Sequence, residues 1–276
     1  MLETAKLFSN FFFEQEIIRV GDGKMKIQNK RIAALLLTAC LSGTAQAALQ
    51  ARLGGQAYYD TDLNVTWLAD ANLAATNTFG VWGIDPTGYM DWTTAQYWIG
   101  AMNSANYLGY SDWRLPVTNP VNGSSMTYSL SNDGTTDYGF NISAPGTLYA
   151  GSKGSELAYL YSNTLGNKAI LDFNGNVQIG WSINPNPGPF SNLQSGYWSG
   201  TEYAPNPTVA WWFNFMHGNQ TASLKLASRY GGGGSYAWAV RTGDVAVVPE
   251  ADTWAMLLVG LGLVGAVGQR KKNHYG

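Results

Sequence analysis

The chain has 276 residues, 45% of them hydrophobic and 12% charged, with a formal net charge of −2. Between residues 48 and 249 it holds seven basic residues against twelve acidic ones, a balance that argues against nucleic acid, anionic lipid or sulfated polymer as a long-range partner. Its one cysteine, Cys40, lies outside that stretch, so the middle of the chain has no disulfide and must rest on its core.

Residues 1–24 resemble no part of an export signal, and the reading is a start assigned too far upstream, with Met25 as the true one. From Met25 come a basic segment with Lys26, Lys30 and Arg31, an apolar run from Ile32 to Leu41, and Ala45-Gln46-Ala47. That order predicts a secretory signal peptide over 25–47, cut after Ala47. An alternative stays open, because Leu37-Thr38-Ala39-Cys40 has the form of a bacterial lipoprotein box, in which Cys40 would be acylated.

Residues 48–244 are of a size for one domain. The alternation around Tyr58 predicts a strand at 56–59, a turn over Asp60–Asn64, and a second strand at 65–68. Asp60-Thr61-Asp62-Leu63-Asn64 begins like a calcium loop but has no glycine at the sixth position, and Ala71 stands where a bidentate glutamate belongs, so turn chemistry by Asp and Asn is the better account. Thr93 to Asn106 reads as a helix, with Thr93 and Gln96 as a capping box, Trp92 and Tyr97 as a staple, and Ala95, Trp98, Ile99 and Met102 on one apolar face. Gly109 suits the left-handed residue past its end.

Ser111-Asp112-Trp113-Arg114-Leu115-Pro116 comes next. Pro116 holds Leu115 out of the helical region. Apolar Trp113 and Leu115 alternate with charged Asp112 and Arg114, so the expectation is an extended segment with Trp113 buried and Arg114 held by a carboxylate. The stretch 117–152 is rich in Ser, Asn, Gly and Thr, a long connection expected to be functional or mobile. Ser155 to Leu165 predicts a second helix, capped by Ser155 and ended by Gly166. Strands come after it at 197–203, 209–216, 221–227 and 236–241. In 209–216, Trp211, Phe213 and Phe215 share one face. Two helices in front of an antiparallel meander give an α+β domain.

Past Val248-Pro249-Glu250, the run Trp254 to Gly268 is apolar and Arg270-Lys271-Lys272 closes it. As a helix at ~1.5 Å per residue, the stretch from Ala251 to Gln269 is a marginal transmembrane span of roughly 28 Å. The basic cluster places its C-terminal end in the cytoplasm.

Two resemblances rest on these stretches. Val248-Pro249-Glu250, the short apolar helix with Trp254-Ala255-Met256-Leu257-Leu258, and the basic end resemble a PEP-CTERM sorting signal over 248–273. That resemblance implies processing near Pro249 and Glu250 by an exosortase, and display at the cell surface or in the extracellular matrix of a Gram-negative bacterium. The middle resembles the family called domain of unknown function 1566, or Lcl C-terminal domain. The matching stretches are Asn64-Val65-Thr66-Trp67-Leu68-Ala69-Asp70, Gly109 to Pro116, Ser155-Glu156-Leu157, Tyr197-Trp198-Ser199-Gly200-Thr201-Glu202 and Ala237-Trp238-Ala239-Val240-Arg241. This family implies a C-type-lectin-like fold. Its best-known member is an adhesin for sulfated polysaccharide, at odds with the acidic balance here.

Chemistry has little to stand on. His217 is the one histidine of the domain and precedes Gly218 in a turn, where it is expected to be an exposed loop residue. No Cys or His cluster offers a nucleophile or a zinc site, and nothing places two carboxylates across a cleft. Glu202 to Pro207 is faintly similar to the Glu-Pro-Asn sugar loop of calcium-dependent lectins, with the wrong spacing. The expectation is therefore a protein that is not an enzyme, with no cofactor and no metal. It would bind carbohydrate or exopolysaccharide through exposed aromatics, for which Trp82, Tyr89, Trp181, Tyr203 and Trp212 are the candidates. A structural matrix protein without a specific ligand, and an uncharacterised hydrolase, are the alternatives.

Overall fold

The first sheet begins and ends the domain. The computed structural model describes residues 49–226 and 234–245. Strands β1 (Leu49–Arg52), β2 (Ala57–Asp60), β3 (Val65–Leu68) and β9 (Val240–Thr242) form one sheet in the order β1-β2-β3-β9, antiparallel throughout. The β2–β3 turn is made by the chemistry its sequence suggested. Asp60 Oδ1 accepts from the backbone N–H groups of Asp62 and Leu63, at 3.0 Å each, and Asn64 takes the left-handed conformation that asparagine tolerates.

The second sheet holds β4 (Leu130–Ser131), β5 (Tyr138–Phe140), β6 (Gly196–Glu202), β7 (Val209–Asn214) and β8 (Asn219–Leu224), in the order β4-β5-β8-β7-β6. Only the short β4–β5 pair is parallel. The expected meander is thus real for β6 to β8, but the last strand leaves it and joins the N-terminal hairpin.

Helix α1 (Trp92–Ser104) buries Ala95, Trp98, Ile99 and Met102, the face its spacing predicted. Its cap lies two residues earlier than expected. The Asp91 carboxylate accepts from the N–H of Thr94 at 2.6 Å, an acidic acceptor at the positive end of the helix. The expected staple is absent: Tyr97 is 67% exposed, and Trp92 instead donates its indole N–H to the carbonyl of Ser199. The helix ends at Ala105, and Asn106 takes the left-handed position ahead of Gly109. Helix α2 (Glu156–Tyr159) has the expected Ser155 cap, runs on as a wider turn through Thr164, and stops at left-handed Gly166.

The long connection 117–152 is ordered around one carboxylate. Asp137 is fully buried, and its oxygens accept from the N–H groups of Val121 and Thr127 and from the Thr127 hydroxyl. Its carbonyl takes the amide of Gln220, a buried side chain of β8. A buried polar group is costly unless it is hydrogen-bonded, and both carboxyl oxygens of Asp137 have partners.

The core is built on tryptophan. Trp67, Trp98, Trp113, Trp198, Trp211 and Trp238 are each at most 2% exposed. Four donate their indole N–H to backbone carbonyls: Trp98 to Asn77, Trp113 to Tyr107, Trp198 to Met90 and Trp238 to Leu68. Each such bond ties a further stretch of backbone to the same apolar mass, so burial and hydrogen bonding act together.

Residues 1–48 and 246–276 lie outside the described residues, and with them the signal peptide, Ala47, Cys40, Pro249, Glu250 and the apolar run from Trp254. Among the described residues no helix is long and apolar enough to cross a membrane.

Candidate binding surface

The segment Ser111–Pro116 lies along the free side of β9. Arg114 N–H donates to the carbonyl of Val240 at 2.8 Å, and Val240 N–H returns the bond at 2.9 Å. Trp113 and Leu115 therefore turn inward while Asp112 and Arg114 turn out, as the alternation predicted. Arg114 forms a two-pronged pair with Glu156 at 2.7 and 2.8 Å, and the same carboxylate accepts the N–H of Val117. Asp112 grips Arg241 through two bonds of 2.8 Å, and the guanidinium lies over the Tyr110 ring at 4.3 Å. Arg52 holds Asp244 at 2.7 and 2.9 Å. These last two pairs were not legible in the sequence, because their partners are 129 and 192 residues apart. The hydrogen bond from Arg241 pulls the Asp112 carboxyl below its ordinary range, and that from Arg52 does the same for Asp244.

Trp82 and Tyr89 share a different feature, a cleft of about 630 Å³ lined by Trp82, Ile84, Asp85, Pro86, Tyr89 and Met90, with Gly83 in its wall. The loop that forms it is fixed from within. Asp85 Oδ1 accepts from the Thr87 N–H and hydroxyl and from the Tyr89 N–H, and Thr87 in turn gives its carbonyl to the Asn72 amide. Gly88, at φ 86°, lies so close against the Asn72 side chain that a Cβ would collide with it. At the far end Met90 and Ser235 exchange backbone bonds of 2.9 Å. Tyr89 is anchored too, its hydroxyl accepting from the N–H of Gly234 and its ring edge against Tyr236. Of the two aromatics in the cleft, Trp82 is the uncovered one, 94% exposed at the mouth of this rigid wall. An indole offers roughly 200 Å² of surface. Covering half of it contributes about 2 kcal/mol.

The other three aromatics stand elsewhere. Trp181 donates to the carbonyl of Met216 and its ring lies 6.2 Å from that of His217. Tyr203 packs with Tyr128, Tyr138 and Trp211 in one aromatic group. Trp212 gives its indole N–H to the Ser235 hydroxyl at 2.6 Å and lies against Gly196.

His217 is half-buried rather than exposed, because Trp181 covers it and Asn214 meets its Nδ1 at 3.2 Å. The Glu202–Pro207 loop uses its polar groups internally: Glu202 pairs with Lys225 at 2.7 Å and Asn206 Oδ1 accepts from Thr208. Asp60 is buried, and that burial raises its carboxyl above the usual value. Among the described residues no group of three or more His, Cys, Asp or Glu side chains is placed to hold a metal.

Comparison with known proteins gives two matches to family models. The Lcl C-terminal domain model matches residues 56–241, and the PEP-CTERM protein-sorting motif matches residues 247–272. No curated protein and no solved structure matches the chain. The sorting motif implies recognition by an exosortase, and with it an exported protein at the cell surface. With the first model spanning the second sheet, both helices, the segment from Ser111 to Pro116 and all of the first sheet but β1 and the last residue of β9, the chain belongs to the Lcl C-terminal domain family, and it carries a PEP-CTERM sorting motif directly behind that domain.

Proposed function

We propose that this protein is a non-enzymatic carbohydrate-binding or adhesion module, displayed at the cell surface or in the extracellular matrix of a Gram-negative bacterium after an exosortase has acted on its tail. The observation that carries the reading is the Trp82 cleft: one aromatic face left bare on a loop pinned from within. Rigid aromatics bind sugar rings at low entropic expense, because the wall is already ordered before the ligand arrives. The fold that supports it is C-type-lectin-like. The joining of the first hairpin to the last strand, the two helices and the loop-rich middle support that assignment. The tail holds the chain at the membrane only transiently, before the cut near Pro249 and Glu250.

A glycan array probed with the purified full chain is the test. Retention of a glycan by the wild type and its loss in Trp82→Ala, with unfolding unchanged, is the expected result. A folded protein that retains no glycan would leave the structural matrix role in its place.

A further inference from the structure

We infer that the Arg52–Asp244 pair and the buried Val245 form a clamp that limits how readily the bond at Pro249 and Glu250 is presented for cutting, an inference that rests on the exosortase reading above. The last described residues are tied down one after another. Thr66 Oγ1 donates to the carbonyl of Gly243 at 2.7 Å, and Gly243 N–H donates to the carbonyl of Asn64 at 2.8 Å. The Asp244 carboxylate takes two bonds from Arg52, and its carbonyl takes one from Arg241 at 3.0 Å. Val245 is 3% exposed, and its N–H donates to Asp244 Oδ1 at 2.8 Å. Arg52 is itself held, by Gln50 Oε1 and by the carbonyl of Ala51, so one jaw of the clamp belongs to β1.

The sorting motif matches from residue 247. From Val245 to Pro249 the chain advances four residues, which reach about 14 Å at most. The body they start from is far larger. A domain of about 200 residues packs to a radius of gyration of about 16 Å, or roughly 40 Å across. An enzyme that takes the Pro249–Glu250 bond into its own cleft must therefore bring that cleft to within about 14 Å of the first sheet. Tethered groups meet rarely when the tether is shorter than the span it has to cover, and more often as its length comes to match that span. Release of Asp244 and Val245 moves the last tie back to Gly243, which Asn64 and Thr66 still hold, and extends the reach to about 21 Å. Cutting thus proceeds through the molecules in which the clamp has opened. Arg52 is a positioning residue in this scheme: it acts on the cut bond only through the number of residues past the last tie.

The test follows the full chain by pulse–chase in cells that carry the sorting enzyme, and reads the half-time of conversion to the shorter form. An insert of about eight Gly and Ser residues between Val245 and Ala246 leaves the motif intact and adds roughly 16 Å of root-mean-square reach. It is expected to shorten the half-time about threefold or more. Arg52→Met leaves an Asp244 side chain that is already 39% exposed, so water takes over its carboxylate, and the half-time should shorten about twofold. Combined with the insert, Arg52→Met should add nothing, because reach no longer limits the cut. A fold that is merely destabilised would gain equally with and without the insert. An unchanged or longer half-time with the insert, or with a folded Arg52→Met, overturns the inference and leaves the sorting reading standing, as does an equal gain from Arg52→Met in both backgrounds. A wild type and an insert variant that both keep Trp254 to Lys272 overturn the processing itself.

Discussion

Arg114 and Glu156 form a two-pronged ion pair between the strap beside β9 and the first turn of α2, 42 residues apart in the chain. Glu156 is only 6% exposed, and its carboxylate also holds the N–H of Val117. Arg114→Ala leaves that carboxylate buried without its partner, and is expected to lower unfolding free energy by about 3 kcal/mol. Arg241→Ala breaks a pair whose acidic member is mostly exposed and should remove about 1 kcal/mol or less. Urea unfolding of the two variants beside the wild type checks the order.

Trp113 and Trp82 are both tryptophans with opposite surroundings. Trp113 is buried and donates to the carbonyl of Tyr107, so Trp113→Ala is expected to cost about 4 kcal/mol or abolish folding. Trp82→Ala removes a side chain with nothing packed over it, and stability should stay within about 0.5 kcal/mol. Thermal unfolding separates the two, and a strongly destabilised Trp82→Ala would mean that the cleft is core.

The acid limb of stability should carry two signs. Asp112 and Asp244 sit below the ordinary carboxyl value of 3.8 in the folded chain, so their contribution is present above that value and is lost as pH falls through the folded values. Asp60 sits above 3.8 because it is buried, so the fold disfavours its charged form, and stability is regained as pH falls through its folded value. Asp60→Asn should therefore raise the melting temperature near about pH 7 and flatten the curve just above the ordinary carboxyl value. Arg241→Ala should blunt the loss at lower pH. Calorimetry across acid pH reads both.

Gly139 lies between β4 and β8 at φ 131°, with the backbone of Ser131 where a Cβ would go. Gly139→Ala should destabilise the edge of the second sheet by about 2 kcal/mol or more, since backbone cannot move aside as a side chain does. Faster hydrogen exchange confined to 130–140 and β8 is the expected signature.

Mass spectrometry of the surface form addresses the tail. A chain ending close to Glu250 is expected. A surface form that still carries Trp254 to Lys272 would mean a permanent anchor.

Local pattern is legible in this sequence, and long-range pairing is not. The inward set Trp211, Phe213 and Phe215 came from alternation alone, as did the face of α1 from its spacing and the Ser155 cap from its residue type. Strand β8 broke the same logic: Gln220 is buried to serve Asp137, while Leu224 and Leu226 are exposed. Gln220, Leu224 and Leu226 share one face, and its burial runs out toward the end of the strand, where Leu224 and Leu226 stand. β4 and β5 are two and three residues long and leave no periodicity to read. For the cleft, the exposed aromatics were legible as types, but which two meet depends on a loop folded around Asp85 and Asn72.

The last described residue, Val245, is buried, and Asp244 just before it is tied to Arg52 of the opening strand. The sorting motif begins at residue 247, so there is no spacer between the folded body and its address label. From Asp244 to Glu250 the chain advances six residues, a leash of about 20 Å at full stretch. An enzyme that cuts at Pro249 and Glu250 has to work within that stand-off, with the rim of the first sheet beside its own surface. On the proposed route, the cut would therefore fall within a few residues of the folded body, and the sorting enzyme would have to reach it past the domain's own first sheet.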